Sequence, residues 1–335
     1  AGSRVRRLLL RGGLGRSERA AGLGAIAAGH VDLVVGTHAL VQEDVAFRDL
    51  ALVVVDEQHK FGVVQRANIR TKGPLPHYLV MTATPIPRTL AMTVFGDLDV
   101  SVVDGSPPGR GRVETKIVNG RDWDRLMAEL RPRLEAGEQA FVVCPTIGAE
   151  AEEDGAPNAK ALASVRATLK RLADGAWAGL PLGLLHGGLP AAEKQAALQA
   201  FARGNWRALV ATTVVEVGVD VPTATLMIVD HAERFGLSQL HQLRGRIGRG
   251  NRDGLCVLVA HGRGDKARER LAVIASTTDG FRIAEADLKQ RGPGELLGTR
   301  QHGLPELRVA NLVDDFALLE QARQDAFALA AADPH

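Results

Sequence analysis

Two spacings of apolar residues alternate along the chain. Val31–Val35, Leu50–Val55 and Tyr78–Met81 are short apolar runs rich in β-branched residues. Such runs predict strands covered on both faces, the pattern of a parallel sheet. Val102-Val103 predicts a last short strand in this first block. Asp104–Gly111 (DGSPPGRG) is too dense in Gly and Pro to continue any element, so 104–112 reads as a linker. A second block of strands starts near Val113, with Phe141–Cys144, Leu182–Leu185, Leu209–Ala211, Leu226–Val229 and Leu255–Val259 as its strands. Pro190 opens a helix over Ala191–Arg203. Residues 149–160 are polar and acidic and predict a loop. From about 265 the spacing turns helical, over Lys266–Thr277, Phe281–Lys289 and Phe316–Ala331, interrupted by the Gly- and charge-rich Gln290–Gly303. Strands alternating with helices predict an α/β chain of doubly wound parallel sheets. The expected divisions are 1–103, the linker 104–112, 113–262, and a helical segment 263–335.

Length and composition fit this layout. The chain has 335 residues, 45% of them hydrophobic, enough for about two domains that each hold a core. No run of 18 apolar residues is present and Leu8–Leu10 is too short for a signal peptide, so no membrane span is expected. Cys144 and Cys256 sit far apart in apolar runs and read as reduced core residues, which suits a cytoplasmic location. The net charge is only +2, but its distribution is uneven. Residues 1–30 carry six Arg against one acid, and 241–308 carry 13 basic against 8 acidic residues. Basic clusters of this kind suit a phosphate backbone, although each alone also fits a solvated surface.

Two segments carry candidate chemistry. In Leu52–His59 (LVVVDEQH), Asp56 and Glu57 follow an apolar strand directly, at the carboxyl end where open α/β sheets bind ligands. An Asp there can hold Mg²⁺, and the adjacent Glu can orient or deprotonate a water. In Gln242–Arg249 (QLRGRIGR), Arg246 and Arg249 are three apart. On a helical turn they would share a face and point two guanidinium forks together at phosphate. Each signal is weak alone, since acids often simply end strands and Gly-Arg runs often form surface loops.

Taken together, these segments resemble superfamily 2 helicases. Asp56–His59, Thr82-Ala83-Thr84-Pro85 and Gln242–Arg249 look like motifs II, III and VI, in that order across two lobes. Ala211–Pro222 (ATTVVEVGVDVP) looks like motif V, and Gly36-Thr37-His38 like a strand-contacting motif. Asp56–Arg66 (DEQHKFGVVQR), Met81–Met92 (MTATPIPRTLAM) and Arg291–Gly303 (RGPGELLGTRQHG) narrow the resemblance to RecG, the branched-DNA helicases. It runs over essentially the whole chain.

The resemblance implies two tandem RecA-like lobes of the P-loop NTPase type, the first incomplete, followed by a helical C-terminal segment. It implies ATP and Mg²⁺ as cofactors and branched double-stranded DNA as partner of a monomeric, nucleoid-associated bacterial motor. Asp56 would hold Mg²⁺ and Glu57 would activate water. Gln58 and His59 would relay nucleotide state toward DNA, and Thr82 and Thr84 would link the lobes. Gly218, Asp220 and Gln242 would serve ATP and coupling, while Arg246 and Arg249 would act as arginine fingers. Gly36, Thr37, Thr212 and Thr213 would contact DNA. Arg291, Arg300 and Gln301 would belong to a translocation loop, whose glycines allow close backbone approach and whose basic residues grip phosphate.

One motif departs from the pattern. No G-x-x-x-x-G-K-[ST] run occurs; Leu10–Ser17 has Leu10 in place of the first Gly and Arg16 in place of the Lys, and reads as a turn leading into a helix. The expectation is therefore the C-terminal motor portion of a longer helicase, without the phosphate loop or the branch-splitting wedge domain, and deficient in ATP hydrolysis by itself. Two other readings compete. The transcription-repair coupling translocase shares ATPIPRTL and the RGxGELLG core but usually lacks the Gly298–Gln301 continuation. A DNA-binding module that never hydrolyses ATP fits the absent loop.

Overall fold

The computed structural model describes residues 4–57, 76–82, 101–103, 109–145, 159–212, 221–262, 264–291 and 315–332. The chain divides into two compact units, Ala1–Ala83 and Thr84–His335.

In the first unit, Arg7–Leu10 (β1) leads through a glycine turn into Arg16–Ala27 (α1), followed by Leu33–Gly36 (β2), Leu52–Val55 (β3) and His77–Val80 (β4). The α1 helix begins where the Leu10–Ser17 turn predicts. β1 has no counterpart in the expected strands, because its apolar part is only three residues long. β1 pairs in parallel with β2, and β3 with β4, as two separate ribbons among the described residues. Leu10 and Ile26 pack with Ala39 and Val45, while Val41 and Val55 form a smaller cluster with Val53 and Tyr78. The apolar runs predict cover on both faces, and here the expectation needs correcting. Leu33, Val35, Leu52, Val54 and Leu79 are 46–55% exposed. Side chains alternate across a strand, so each ribbon packs one face and leaves the other open. Val102 and Val103 form no strand; they pair with no described residue, and Val103 is 95% exposed.

The second unit is built on six parallel strands: Val113–Asn119 (β5), Gln139–Val143 (β6), Leu182–Leu185 (β7), Ala208–Ala211 (β8), Ala224–Val229 (β9) and Gly254–Ala260 (β10). Their order is β5-β10-β9-β6-β8-β7. Parallel neighbours need crossovers, which Trp123–Glu135 (α2), Ala159–Asp174 (α3), Ala191–Ala202 (α4) and Leu237–Arg244 (α5) supply. The residues of 149–160 that are described, 159 and 160, belong to α3; 149–158 lie outside the described residues.

Alternation along these strands builds two cores. Phe141, Val143, Leu209, Met227, Val229 and Leu258 face α4 and α5 with Phe201, Leu237 and Leu240. Val142, Val210, Leu226, Ile228, Val257 and Val259 face the other way, onto Trp123, Met127 and Leu134 of α2 and Leu172 of α3. Each large apolar side chain buried this way contributes about 1.5–3 kcal/mol. Gly183 in β7 exists because Trp206 lies against it: a Cβ would sit 1.9 Å from Trp206 Cε3.

Asp265–Ser276 (α6) and Gly280–Arg291 (α7) pack on α5, and Phe316–Ala332 (α8) ends the chain. On the last helix, Leu318, Phe327 and Leu329 stay exposed and join none of the described cores. The α5–α6–α7 junction turns on a buried arginine. Arg244 is 4% exposed, and its guanidinium donates to Ile274 O at 2.5 Å, Thr277 O at 2.9 Å and His241 Nδ1 at 3.0 Å. Carbonyls at the end of α6 lack helical partners, and a cation there satisfies both their hydrogen bonds and the helix dipole. Burial, reinforced by the charges of Arg244 and Arg110, pushes His241 down to about 4. A neutral His241 can accept from Arg244; a protonated one cannot.

Two outcomes follow. Gly183→Ala should destabilise the chain by about 1–3 kcal/mol, through forced displacement of Trp206, read as a lower urea midpoint with unchanged slope. The unfolded state takes up a proton at His241 near pH 6.5 and the folded state only near 4. Stability from this site is therefore complete above the unfolded pKa and is lost as pH falls through the window, at up to about 1.4 kcal/mol per pH unit. His241→Asn should flatten that slope in denaturant titrations between pH 7 and 4.

Candidate active site

The first unit gathers its candidate residues at strand ends. β3 and β4 run in register with Val55 opposite Val80, and Met81 N–H donates to Val55 O at 2.8 Å. Asp56-Glu57 and Met81-Thr82 thus leave the same edge of one ribbon, side by side. Glu57 has φ 53°, the left-handed region that non-glycine residues seldom occupy, and its N–H is held by Asp56 Oδ1 at 2.9 Å. That turn brings the chain sharply off the strand and leaves Asp56 exposed. A carboxylate in this position offers hard oxygen donors, which suits Mg²⁺. Gly36 ends β2, on the other ribbon, and Thr37 follows it. A Cβ on Gly36 would lie 2.3 Å from Leu10 O, so the glycine is demanded by the approach of β1 and by Leu40 behind it.

In the second unit the candidates again follow strands and one helix. Thr212 leaves β8 with its N–H on Leu185 O at 3.2 Å, and is only 5% exposed. Gln242 lies on α5, half-buried. Arg246 and Arg249 do not sit on a helix, as the i,i+3 argument expects: α5 ends at Arg244, and the two arginines flank a turn. Gly248 at φ 66° breaks the helical path, and a Cβ there would meet Val113 Cγ2 at 2.7 Å. Arg246 N–H donates to Leu243 O, and Arg249 Nε to Gly245 O at 3.4 Å. Arg249 is exposed and Arg246 half-buried.

Four supporting residues were not legible as such. Arg110, in the expected linker, donates through Nη2 to Gly245 O at 2.8 Å, tying residues before β5 to the arginine turn. Gly111 N–H donates to Gly250 O, and Arg112 N–H to Asp253 Oδ1, on the same turn. Arg244, inside the motif itself, faces inward to α6, where only packing distinguishes it from Arg246. Burial raises both cysteine thiols to about 12, so Cys144 and Cys256 are inert core residues. No helix among the described residues is long and apolar enough to cross a membrane. Gln58, His59, Thr84, Thr213, Gly218, Asp220, Arg300 and Gln301 lie outside the described residues, and Arg291 closes α7.

Family models match in the same order as these elements. A DEAD/DEAH box helicase model covers residues 3–93, a helicase conserved C-terminal domain covers 122–251, and the C-terminal domain 3 of the ATP-dependent DNA helicase RecG covers 277–335. The chain is 48% identical over 308 residues to the ATP-dependent DNA helicase RecG of Bacillus subtilis, covering 92% of this chain and 44% of that protein. The corresponding protein of Acidithiobacillus ferridurans is 52% identical over 311 residues, covering 92% of this chain and 44% of its own length. The structure of RecG bound to a three-way DNA junction superposes with a TM-score of 0.68 at 43% identity, over 95% of this chain and 40% of that one. Yeast Dbp5 bound to RNA and ADP BeF3 aligns at TM-score 0.56 and 15% identity, over 96% of this chain and 74% of its own, a likeness of fold alone. The chain thus spans less than half the length of the RecG proteins it matches. Through both of its units, the chain is similar to RecG helicases over 92% of its own length.

Proposed function

We propose that this chain carries the motor portion of an ATP-dependent DNA helicase or translocase that remodels branched DNA, such as stalled forks and Holliday junctions, in recombination and repair. The observation that carries the reading is the 48% identity sustained over 308 residues through both units. The junction-bound RecG structure supports branched DNA as the substrate class. In this reading 1–103 and 113–262 are the two helicase lobes, joined by 104–112, and 263–335 carries the coupling helices and translocation loop.

The proposed roles follow the chemistry of each group. Asp56 holds Mg²⁺, which supplies charge neutralisation on the nucleotide phosphates. Glu57 orients the attacking water and accepts its proton. Arg246 and Arg249 present planar guanidinium groups that offset charge on the transferring phosphoryl. Gln58, His59, Thr82, Thr84, Gly218, Asp220 and Gln242 link nucleotide state to lobe movement. Gly36, Thr37, Thr212, Thr213, Arg291, Arg300 and Gln301 engage DNA. The residues fit the metal well. For the β/γ-phosphates the fit is incomplete, because the sequence holds no G-x-x-x-x-G-K-[ST] run. That same observation favours a second reading for the chain by itself, a DNA-binding module without turnover.

Hydrolysis measurements separate these readings. The 335-residue chain should retain forked DNA in a gel shift while its Mg-ATP turnover stays at background. Joined to the part of the Bacillus subtilis relative that lies outside the 308 matched residues, it should hydrolyse ATP in response to forks. In that chimera Glu57→Gln should abolish turnover while sparing ATP binding, and Arg249→Ala should reduce turnover by about 10³-fold or more. A chimera that binds ATP and forks but never turns over, or a Glu57→Gln chimera that still does, would sink the motor reading.

A further inference from the structure

Beyond the residues assigned to the motor, a second cluster of chemistry stands at the carboxyl ends of β9 and β10. Asp230 and His231 follow β9, Glu233 lies in the next turn, and His261 follows β10. His261 Nε2 is 2.7 Å from Asp230 Oδ1, and His231 Nδ1 is 3.2 Å from Glu233 Oε1. The His261 N–H donates to Glu233 Oε2 at 3.2 Å, and the His231 N–H to Asp230 Oδ1 at 3.0 Å. The two imidazoles stack with centroids 3.8 Å apart and planes 20° from parallel. One donor atom from each of Asp230, His231 and His261 falls within 4.8 Å of the others.

Charge and solvation point the same way. The Asp230 and Glu233 side chains are only 14% and 15% exposed, and among the described residues neither has a Lys or Arg ion pair. The two carboxylates stand at a partly desolvated site, and Arg270 donates to the Glu233 carbonyl rather than to its carboxylate. One divalent cation neutralises both carboxylates and leaves both rings in the neutral form that ligation requires.

The donor set selects the ion. Two imidazole nitrogens and a carboxylate suit zinc-class cations, whereas Mg²⁺ and Ca²⁺ prefer oxygen alone. Glu233 beside His231 Nδ1 is the carboxylate–histidine pairing that sets a tautomer and orients a ligand ring. Gly120 makes room for the other ring: a Cβ there would lie 2.3 Å from His261 Nδ1. A cavity of about 260 Å³ lined by Asn119, Gly120, Arg121, His261, Gly262 and Arg268 lies against His261. Because nitrogen lone pairs lie in the ring planes, binding must splay the stack.

We propose that Asp230, His231 and His261 bind one zinc-class divalent cation, with Glu233 as the carboxylate that orients His231. The ion would clasp the turn leading from β9 into α5 to the strand end from which α6 departs. This inference does not rest on the motor reading.

The test is titration of Zn²⁺ into the whole chain by calorimetry in a non-chelating buffer, with Co²⁺ as an absorbing substitute. One saturable site per chain is expected, together with a rise in thermal midpoint. His231→Gln and His261→Gln should each remove that site, whereas His30→Gln, a change at an exposed histidine elsewhere, should keep it. Glu233→Gln should weaken binding about 10–100-fold without changing the stoichiometry. Absence of a saturable site, or its survival in the His231→Gln/His261→Gln double variant, would overturn the proposal. If far-UV circular dichroism shows the variants unfolded, the unaltered chain decides. Zn²⁺ must then protect His231 and His261 from diethyl pyrocarbonate in peptide mass spectra, and equal labelling with and without the ion overturns the site.

Discussion

In the six-stranded sheet, β6, β8 and β9 have no exposed residue along their lengths. Each face is filled by its own set of helices, and the polar side chains in these strands, Gln139 and Thr225, sit at the amino ends, where hydrogen bonds to Phe201 O and Glu138 satisfy them. Polar chemistry is therefore pushed to the strand ends. Thr212, Asp230, His231, His186 and His261 all stand just beyond the carboxyl ends of their strands. Thr212 and the proposed cation cluster are both products of this one constraint.

The second organising feature is the buried polar link at α5. Arg244 satisfies two carbonyls at the end of α6 and is matched by a neutral His241. Arg110 holds the following turn from the other side through Gly245 O. The arginine turn that carries Arg246 and Arg249 is thus fixed by the buried guanidinium of Arg244 and by the exposed one of Arg110. A charge buried with its hydrogen bonds satisfied costs little in place, but leaves costly orphans if removed. This gives the turn a defined geometry although it contains two glycines and no helix.

The first unit obeys the same rules with a different result. Its ribbons bury one face each, and the residues that read as doubly covered, such as Leu52 and Val54, are about half exposed. An apolar run states that a strand can be covered on both sides. It does not state what covers it.

Apolar runs located β6 to β10 of the second unit, and helical spacing located α4, α6, α7 and α8, to within two residues, whereas α2, α3 and α5 were not placed. The Asp56-Glu57 pair and the Gln242–Arg249 run were legible because their chemistry depends on adjacent residues, and adjacency survives in a linear string. The false strand at Val102-Val103 and the missed strand β1 show the limit. A strand exists only when a partner accepts its hydrogen bonds, and two or three apolar residues do not specify one. Which arginine of the motif turns inward, and that His231 meets His261 from thirty residues away, depended on the β10–β9 pairing and on the packing of α6 against α5. Those contacts join distant segments, so only the tertiary structure could decide them.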